Sequence, residues 1–109
     1  MVNLTLIPKS EFDRLRDTTL QLHDELSIIA DMCRANALAA VKRAGSGHLG
    51  SSFSAMDIVT WLYHHEMNTL DVGFDNPNRD VYFSSKGHDV PGLYAVLYSL
   101  GVVSREKFL

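Results

Sequence analysis

The sequence predicts a helix-rich α/β fold for this chain of 109 residues. Apolar residues recur at helical spacing through long stretches, whereas one short segment, residues 80–84, combines Val81, Tyr82 and Phe83 in the manner of a buried strand. A composition of 46% hydrophobic and 21% charged residues is ordinary for a globular domain. We therefore expect one folded unit with a modest core.

The first helical pattern covers residues 10–43, and its apolar positions are Phe12, Leu15, Leu22, Leu26, Ile29, Cys33 and Ala37. Thr18 and Thr19 have low helix propensity and weaken the middle of the pattern. Two alternatives follow: a single long helix, or two helices that break near His23 and Asp24. Gly45 is expected to end the pattern.

A second helix is predicted to open at Ser54, with Asp57 as its capping partner, and to stop before Asp71. Residues 71–79 are rich in turn formers and predict a surface connection. A third helix follows the strand, with Pro91 in its first turn and Gly101 as its C-terminal stop. Residues 104–109 resemble the opening of a further helix with Phe108 and Leu109 unburied, which predicts a truncated chain.

Charge and composition exclude several classes of function. The formal net charge is −3, and no basic cluster exceeds Lys42 and Arg43, so nucleic-acid and anionic membrane surfaces are not expected partners. Neither a signal peptide nor a membrane-spanning segment is evident. The single cysteine, Cys33, lies in an apolar helical pattern that favours a buried side chain over a nucleophile or metal ligand. We expect a soluble, cytoplasmic protein.

One candidate ligand loop contains the glycines Gly45, Gly47 and Gly50 in the spacing of a dinucleotide-binding motif. That motif requires a preceding strand, whereas a helical pattern precedes these glycines. The segment instead predicts a turn between helices in which the backbone can approach a ligand and His48 is displayed. The alternative is an ordinary surface histidine.

A second candidate loop places Lys86, Gly87 and His88 between the predicted strand and the third helix. Ligands collect at the carboxyl ends of strands in α/β proteins, and helix N-termini favour anions. The loop therefore suits a phosphate-bearing ligand, although a solvated lysine beside a helix-capping histidine is the alternative.

The helix that follows Ser54 carries His64, His65 and Glu66 in a row. Adjacent positions on a helix point in different directions, and no second histidine follows at metalloprotease spacing, so we expect structural roles instead of a metal site. Trp61 and Tyr63 likewise predict core or interface positions.

Residues 25–109 resemble the start of the transketolase family, with the N-terminal section of split, two-chain transketolases the most similar form. The likeness rests on the order and spacing of several short motifs: Gly45 to Gly50, Asp57 and Ile58, Trp61 to Tyr63, Asn76 and Pro77, Arg79 and Asp80, Ser85 to His88, and Leu93 and Tyr94. It implies a parallel sheet flanked by helices. Residues 1–109 would form a partial, diphosphate-side thiamine diphosphate-binding domain, with residues 1–24 as an N-terminal helical extension.

The resemblance also implies the cofactor and site residues. Thiamine diphosphate would lie between two chains, with His48 and His88 as catalytic and cofactor-binding residues. Ser46 and Gly47 would shape the first loop, and Lys86 would contribute to cofactor binding, although ordinary transketolases commonly carry asparagine at its position. No metal ligand is predicted, because the Gly-Asp-Gly segment that holds magnesium in the family is missing from this sequence.

The implied activity is the transfer of a two-carbon ketol unit between sugars or related polyols, by a transferase of carbohydrate metabolism. The partner would be a C-terminal section or separate C-terminal subunit, within a homodimer or heterotetramer, and the isolated chain would be inactive. Leu49, Ser51 and Ser52 are similar to deoxyxylulose-phosphate synthases, and Val81 to Phe83 to pyruvate dehydrogenase components. A 2-oxo-acid dehydrogenase or decarboxylase component, a synthase of that kind and a non-catalytic helical interaction module are therefore the alternatives.

Overall fold

A computed structural model of the chain describes residues 5–44, 50–84 and 90–108. These residues form helices joined by turns and irregular segments. In chain order the helices are α1 (Lys9–Arg16), α2 (Leu22–Ala44), α3 (Gly50–Trp61), a π-helical turn (Leu62–Glu66), α4 (Thr69–Val72), α5 (Val90–Ser99) and α6 (Arg105–Phe108).

The first helical pattern forms two helices, and the break covers residues 17–21. It therefore begins earlier than the predicted point near His23 and Asp24. Thr18 explains the difference, because its hydroxyl donates a hydrogen bond of 2.6 Å to the carbonyl of Leu15. A threonine that satisfies the backbone locally competes with the continuation of a helix.

Helix α3 starts at Gly50, so the prediction that it opens at Ser54 is wrong. The Ser54 hydroxyl donates to the carbonyl of Gly50 at 2.8 Å, which is a bond inside the helix and not an N-terminal cap. At its other end α3 passes into the π-helical turn, where the N–H of Met67 donates to the carbonyl of Leu62 at 2.7 Å. The short α4 follows and includes the first two residues of the predicted surface connection.

Residues 80–84 do not form the predicted strand, and no strand occurs in the described parts of the chain. A strand requires a neighbouring strand to pair its backbone groups, and none is present there. Asp80 instead pairs with Asn68, whose side-chain oxygen accepts from the Asp80 N–H at 2.6 Å. The helix-rich character of the predicted fold is confirmed, whereas its parallel sheet is not seen.

The core lies between α2, α3 and α5, which pack against one another in pairs. Its buried apolar residues are Phe12, Leu26, Ile29, Ala30, Cys33, Ala37, Met56, Val59, Tyr63, Ala95, Val96, Tyr98 and Phe108. Most of the apolar stripe from Phe12 to Ala37 is thus covered by this chain itself. The expectation that Phe108 is unburied is wrong, because its ring stacks on Tyr98 with 5.5 Å between centroids.

A glycine turn after α5 and two hydrogen bonds from α2 fix the segments that flank the core helices. Helix α5 carries Pro91 in its first turn and is followed by Gly101 at a φ of 82°, as predicted. The buried side chain of Asn36 accepts from the N–H of Ile7 at 2.6 Å and donates to its carbonyl at 3.0 Å, which fixes the N-terminal segment on α2. Across the three described ranges, no helix combines the length and apolarity that crossing a membrane requires.

Candidate functional site

The five predicted site residues lie outside the described residues: Ser46, Gly47, His48, Lys86 and His88. The structure describes the segments that flank them. Helix α2 ends at Ala44 and α3 begins at Gly50, while α5 begins at Val90. Each candidate loop therefore leads directly into the N-terminus of a helix.

The first turns of α3 and α5 touch through Ser52 and Gly92. The N–H of Gly92 donates to the Ser52 hydroxyl oxygen at 3.3 Å. A Cβ atom added at Gly92 would lie 3.0 Å from the Cβ of Ser52 and 3.3 Å from its Cα. Both residues are buried, with Ser52 only 2% exposed. The segments that follow the two candidate loops thus meet at one point.

The N-termini at this point favour a negatively charged ligand. Helix N-termini present unpaired N–H groups and a partial positive charge of roughly half an elementary charge. Neither α3, with 12 residues, nor α5, with 10, carries an acidic residue in its first turn to offset that charge. Asp89, directly before α5, lies outside the described parts of the chain.

The space between these helix ends is filled and not hollow. A cavity of about 10 Å³ is lined by Ser52, Ala55, Met56, Val59, Tyr82, Gly92 and Leu93. That volume accommodates about one water molecule. The cavity among these described side chains is therefore too small to hold a cofactor.

A larger groove, with a volume of about 460 Å³, lies between α2 and α3. Its lining residues are His23, Leu26, Ser27, Asp57, Ile58 and Trp61. Ser27 precedes the end of α2 by 17 residues, or about 25 Å of helix, and Asp57 follows the start of α3 by seven residues, or about 10 Å, so the groove lies along the helices and not at the ends that adjoin the first candidate loop. Ile58 and Trp61 are 63% and 40% exposed there, which makes Trp61 a surface residue and not a core residue.

His64 and His65 point in different directions, as expected for neighbours on a helix. The Nε2 atom of His64 lies 3.0 Å from the hydroxyl of Ser99, and its Nδ1 atom faces Arg16 at 3.4 Å. The His65 ring instead contacts Trp61, with 4.6 Å between centroids. No group of three or more metal-ligating side chains occurs in the part of the chain that the structure describes.

The contacts of His64 were not predicted by the sequence. Burial, and secondly the positive charge of Arg16, lowers the pKa of His64 from 6.5 to about 4. The Ser99 hydroxyl donates to the carbonyl of Val96 and so accepts from Nε2–H of His64, which leaves Nδ1 as the acceptor toward Arg16. A neutral imidazole thus joins α1, the π-helical turn and α5.

Cys33 is buried, as the sequence predicted. Desolvation by burial raises the pKa of its thiol to about 12. Because the thiolate is the reactive form of cysteine, this side chain acts as a small apolar residue in the core.

Comparison with known proteins identifies the family. The family model described as transketolase, thiamine diphosphate binding domain, matches residues 26–106. Transketolase-like protein 2 of Bos taurus is 35% identical over 92 residues, which cover 84% of this chain and 14% of the relative. Transketolase of Homo sapiens is 36% identical over 80 residues, which cover 73% of this chain and 13% of the relative.

One subunit of the apulose-4-phosphate transketolase of Actinobacillus succinogenes is 37% identical over 60 residues, which cover 55% of this chain and 22% of the relative. No solved structure matches the chain. Because the family model covers most of the chain and the mammalian relatives exceed 30% identity over 73% of it or more, the chain belongs to the transketolase family, as an N-terminal section.

Proposed function

We propose that this chain forms the diphosphate-side part of a thiamine diphosphate site, in an enzyme that transfers a two-carbon ketol unit between sugars or related polyols. The main support is the contact between Ser52 and Gly92. His48 and His88 each precede one of these residues by four positions, and four residues span at most about 14 Å. Both imidazoles can therefore reach one ligand held in front of the helix ends.

The helix ends fit the diphosphate group, because helix N-termini favour anions and neither first turn adds a negative charge. In the first turn of α5, Pro91 has no N–H and the N–H of Gly92 donates to Ser52, so the helix dipole supplies most of the attraction at that end. When bound, thiamine diphosphate supplies the electron sink for breaking and forming a carbon–carbon bond. In the proposal Lys86 and His88 donate to phosphate oxygens, and Ser46 and Gly47 shape the first loop. His48 exchanges protons with the hydroxyl groups of the donor sugar.

The rest of the enzyme lies beyond this chain, which spans 14% and 13% of the length of its first two relatives. We propose that the ligands of magnesium and the residues that contact the aminopyrimidine come from a C-terminal section or subunit, in a homodimer or heterotetramer in the cytoplasm. The apulose-4-phosphate transketolase of Actinobacillus succinogenes, whose matching chain is named as one of its subunits, gives a precedent for a transketolase built from separate chains. Alone, the chain is expected to be inactive and to give no tight calorimetric binding of thiamine diphosphate.

The test uses the enzyme that contains this chain, purified from its source cells through a tag on the chain. Ketol transfer is measured with a ketose phosphate donor and an aldose phosphate acceptor, for the parent and for His48→Ala and His88→Ala. Removal of a general acid–base group lowers turnover by on the order of 100-fold to 10,000-fold, so at least one variant should show such a loss. His65→Ala is the matched control, because His65 is exposed and far from both loops in the sequence.

Each alternative function has its own outcome when the parent enzyme is also assayed with pyruvate, alone and with an aldose phosphate. Consumption of pyruvate without ketol transfer would identify a 2-oxo-acid decarboxylating component, and condensation of pyruvate with an aldose phosphate would identify a deoxyxylulose-phosphate synthase. Full activity in both histidine variants would refute the proposed roles of the two loops. It would favour the non-catalytic interaction module instead.

A further inference from the structure

Resting on the proposed function, we infer that Ser52 and Gly92 are positioning residues for the candidate site. Their contact sets the separation between the start of α3 and the start of α5. The two histidines, His48 and His88, each precede one of these helix starts by two positions in the sequence. Neither Ser52 nor Gly92 needs to touch substrate or cofactor for this role.

The first step is that position 92 tolerates no side chain at the observed separation. A Cβ added there would meet three atoms of Ser52: Cβ at 3.0 Å, Oγ at 3.2 Å and Cα at 3.3 Å. The Cα belongs to the backbone of α3 and cannot rotate away. Carbon atoms in contact prefer about 3.5–4.0 Å, so an added methyl group would move the two helix starts apart by a few tenths of an ångström.

The second step is that the contact also pairs a polar group. Gly92 is the third residue of α5, and N–H groups at such positions have no acceptor within the helix. The Ser52 hydroxyl, buried in the third position of α3, provides that acceptor at 3.3 Å. The first turns of α3 and α5 approach closely because Gly92 has no side chain. The hydrogen bond between Gly92 and Ser52 then holds these two turns together.

The third step is that α3 is held in place by α2, so crowding at position 92 displaces α5. Helix α3 is fixed on its other side by Arg34 of α2, whose Nη2 atom donates to the carbonyl of Phe53 at 3.1 Å and to Asp57 at 2.8 Å. With α3 held, a larger residue at position 92 moves α5 and the segment before Val90. A misplacement of about 1 Å between catalytic groups can lower turnover by on the order of 100-fold.

The geometric test uses the full chain and needs neither cofactor nor partner. A nitroxide label is attached to Gly50→Cys, where an added Cβ meets no atom within 4 Å, and the buried Cys33 stays unlabelled. Paramagnetic relaxation of the amides in the first turn of α5, which falls steeply with distance, reports the separation. We compare the parent, Gly92→Ala and the double variant Ser52→Gly/Gly92→Ala, called the exchange variant, which removes the Cβ and Oγ atoms that the new methyl group would meet but also removes the hydrogen bond to Gly92.

We expect Gly92→Ala to lower the relaxation rates and the exchange variant to bring them part of the way back, because it relieves the side-chain crowding but lacks the hydrogen bond. Tyr94→Ala, at an exposed position of α5, is the control and should leave them unchanged. Unchanged rates in Gly92→Ala would overturn the inference. If Gly92→Ala loses its helical circular dichroism, the inference stands only if the exchange variant regains the helix signal and measurable relaxation in the first turn of α5, and fails otherwise.

The same variants then enter the purified enzyme. Gly92→Ala should lower kcat by on the order of 10-fold to 100-fold, and the exchange variant should recover part of it. A changed separation with unchanged kcat would overturn the positioning role while the geometry stands. Failure of the proposed function has a different signature, namely full activity of the His48 and His88 variants.

Discussion

Acidification should destabilise this chain through His64. The imidazole is buried as the neutral form, and its open nitrogen, Nδ1, faces the Arg16 guanidinium at 3.4 Å. A second proton must be placed on that nitrogen, where it meets both desolvation and a like charge. The pKa of His64 is therefore about 4 in the folded chain, below its ordinary value of 6.5.

The size and sign of the effect follow from this difference. The unfolded chain binds the proton more tightly, so the contribution of His64 to stability is complete above pH 6.5 and is lost as the pH falls toward 4. At about 1.4 kcal/mol per pH unit, the loss is about 3 kcal/mol of unfolding free energy. If the unfolding free energy falls by about 1.5 kcal/mol for each molar of urea, the urea concentration at the unfolding midpoint should fall by roughly 2 M.

The nearby carboxylate of Asp13 loses its contribution to stability over a different pH range from His64. Asp13 bonds Arg16 at 2.7 Å, and hydrogen bonds from Lys9 and then Arg16 lower the pKa of its carboxyl below 3.8. Its own contribution is therefore lost below pH 3.8, outside the window of His64.

Urea unfolding from pH 7 to pH 4 tests the prediction in the parent and in His64→Gln, whose amide keeps a donor and an acceptor. The difference in unfolding free energy between the two chains should change by about 3 kcal/mol across this range. His65→Gln, which leaves the contacts of His64 in place, should follow the parent. Parallel curves for the parent and His64→Gln would refute the reasoning.

Two further predictions concern stability. Asn36→Ala removes both hydrogen bonds to the backbone of Ile7 and should lower the unfolding free energy by about 2 kcal/mol in urea titrations, whereas a change below about 0.5 kcal/mol would show that the N-terminal segment contributes little. Gly101→Ala forces a side chain into a φ of 82° and should lower stability by about 1 kcal/mol, whereas Gly50→Ala, in open space at the start of α3, should raise it by a few tenths. Thermal unfolding should therefore move in opposite directions for the two alanines, and a shift of the same sign in both would contradict this explanation.

The features predicted well from sequence are those decided by neighbours in the chain. Helical spacing predicted four buried positions of α2, namely Leu26, Ile29, Cys33 and Ala37, but not the exposure of Leu22, which is 40% exposed. Pro91 and Gly101 predicted the bounds of α5 to within two residues. The family was also predicted, because motif order and spacing are properties of the sequence itself. The five site residues remain predictions, since they lie outside the described residues.

The failures concern features decided by distant partners. Arg16 lies 48 positions from His64 and 83 positions from the Ser99 carbonyl that it also bonds, so no local pattern could indicate this network. The strand at residues 80–84 failed for a related reason. Its β-branched and aromatic residues favour extended backbone, but pairing depends on a second strand that these residues do not specify.

Two regions of the helical bundle are held together by different kinds of contact. Where α1 meets the π-helical turn, a charged network around Arg16 and His64 joins elements that are distant in sequence, and it depends on pH. At the start of α3, the holding contacts are a hydrogen bond to Gly92 and an arginine that reaches the Phe53 carbonyl. Neither contact involves a group that titrates near neutral pH. The separation of the starts of α3 and α5 should therefore stay constant as the pH changes near neutrality, whereas the contacts between α1 and the π-helical turn weaken on acidification.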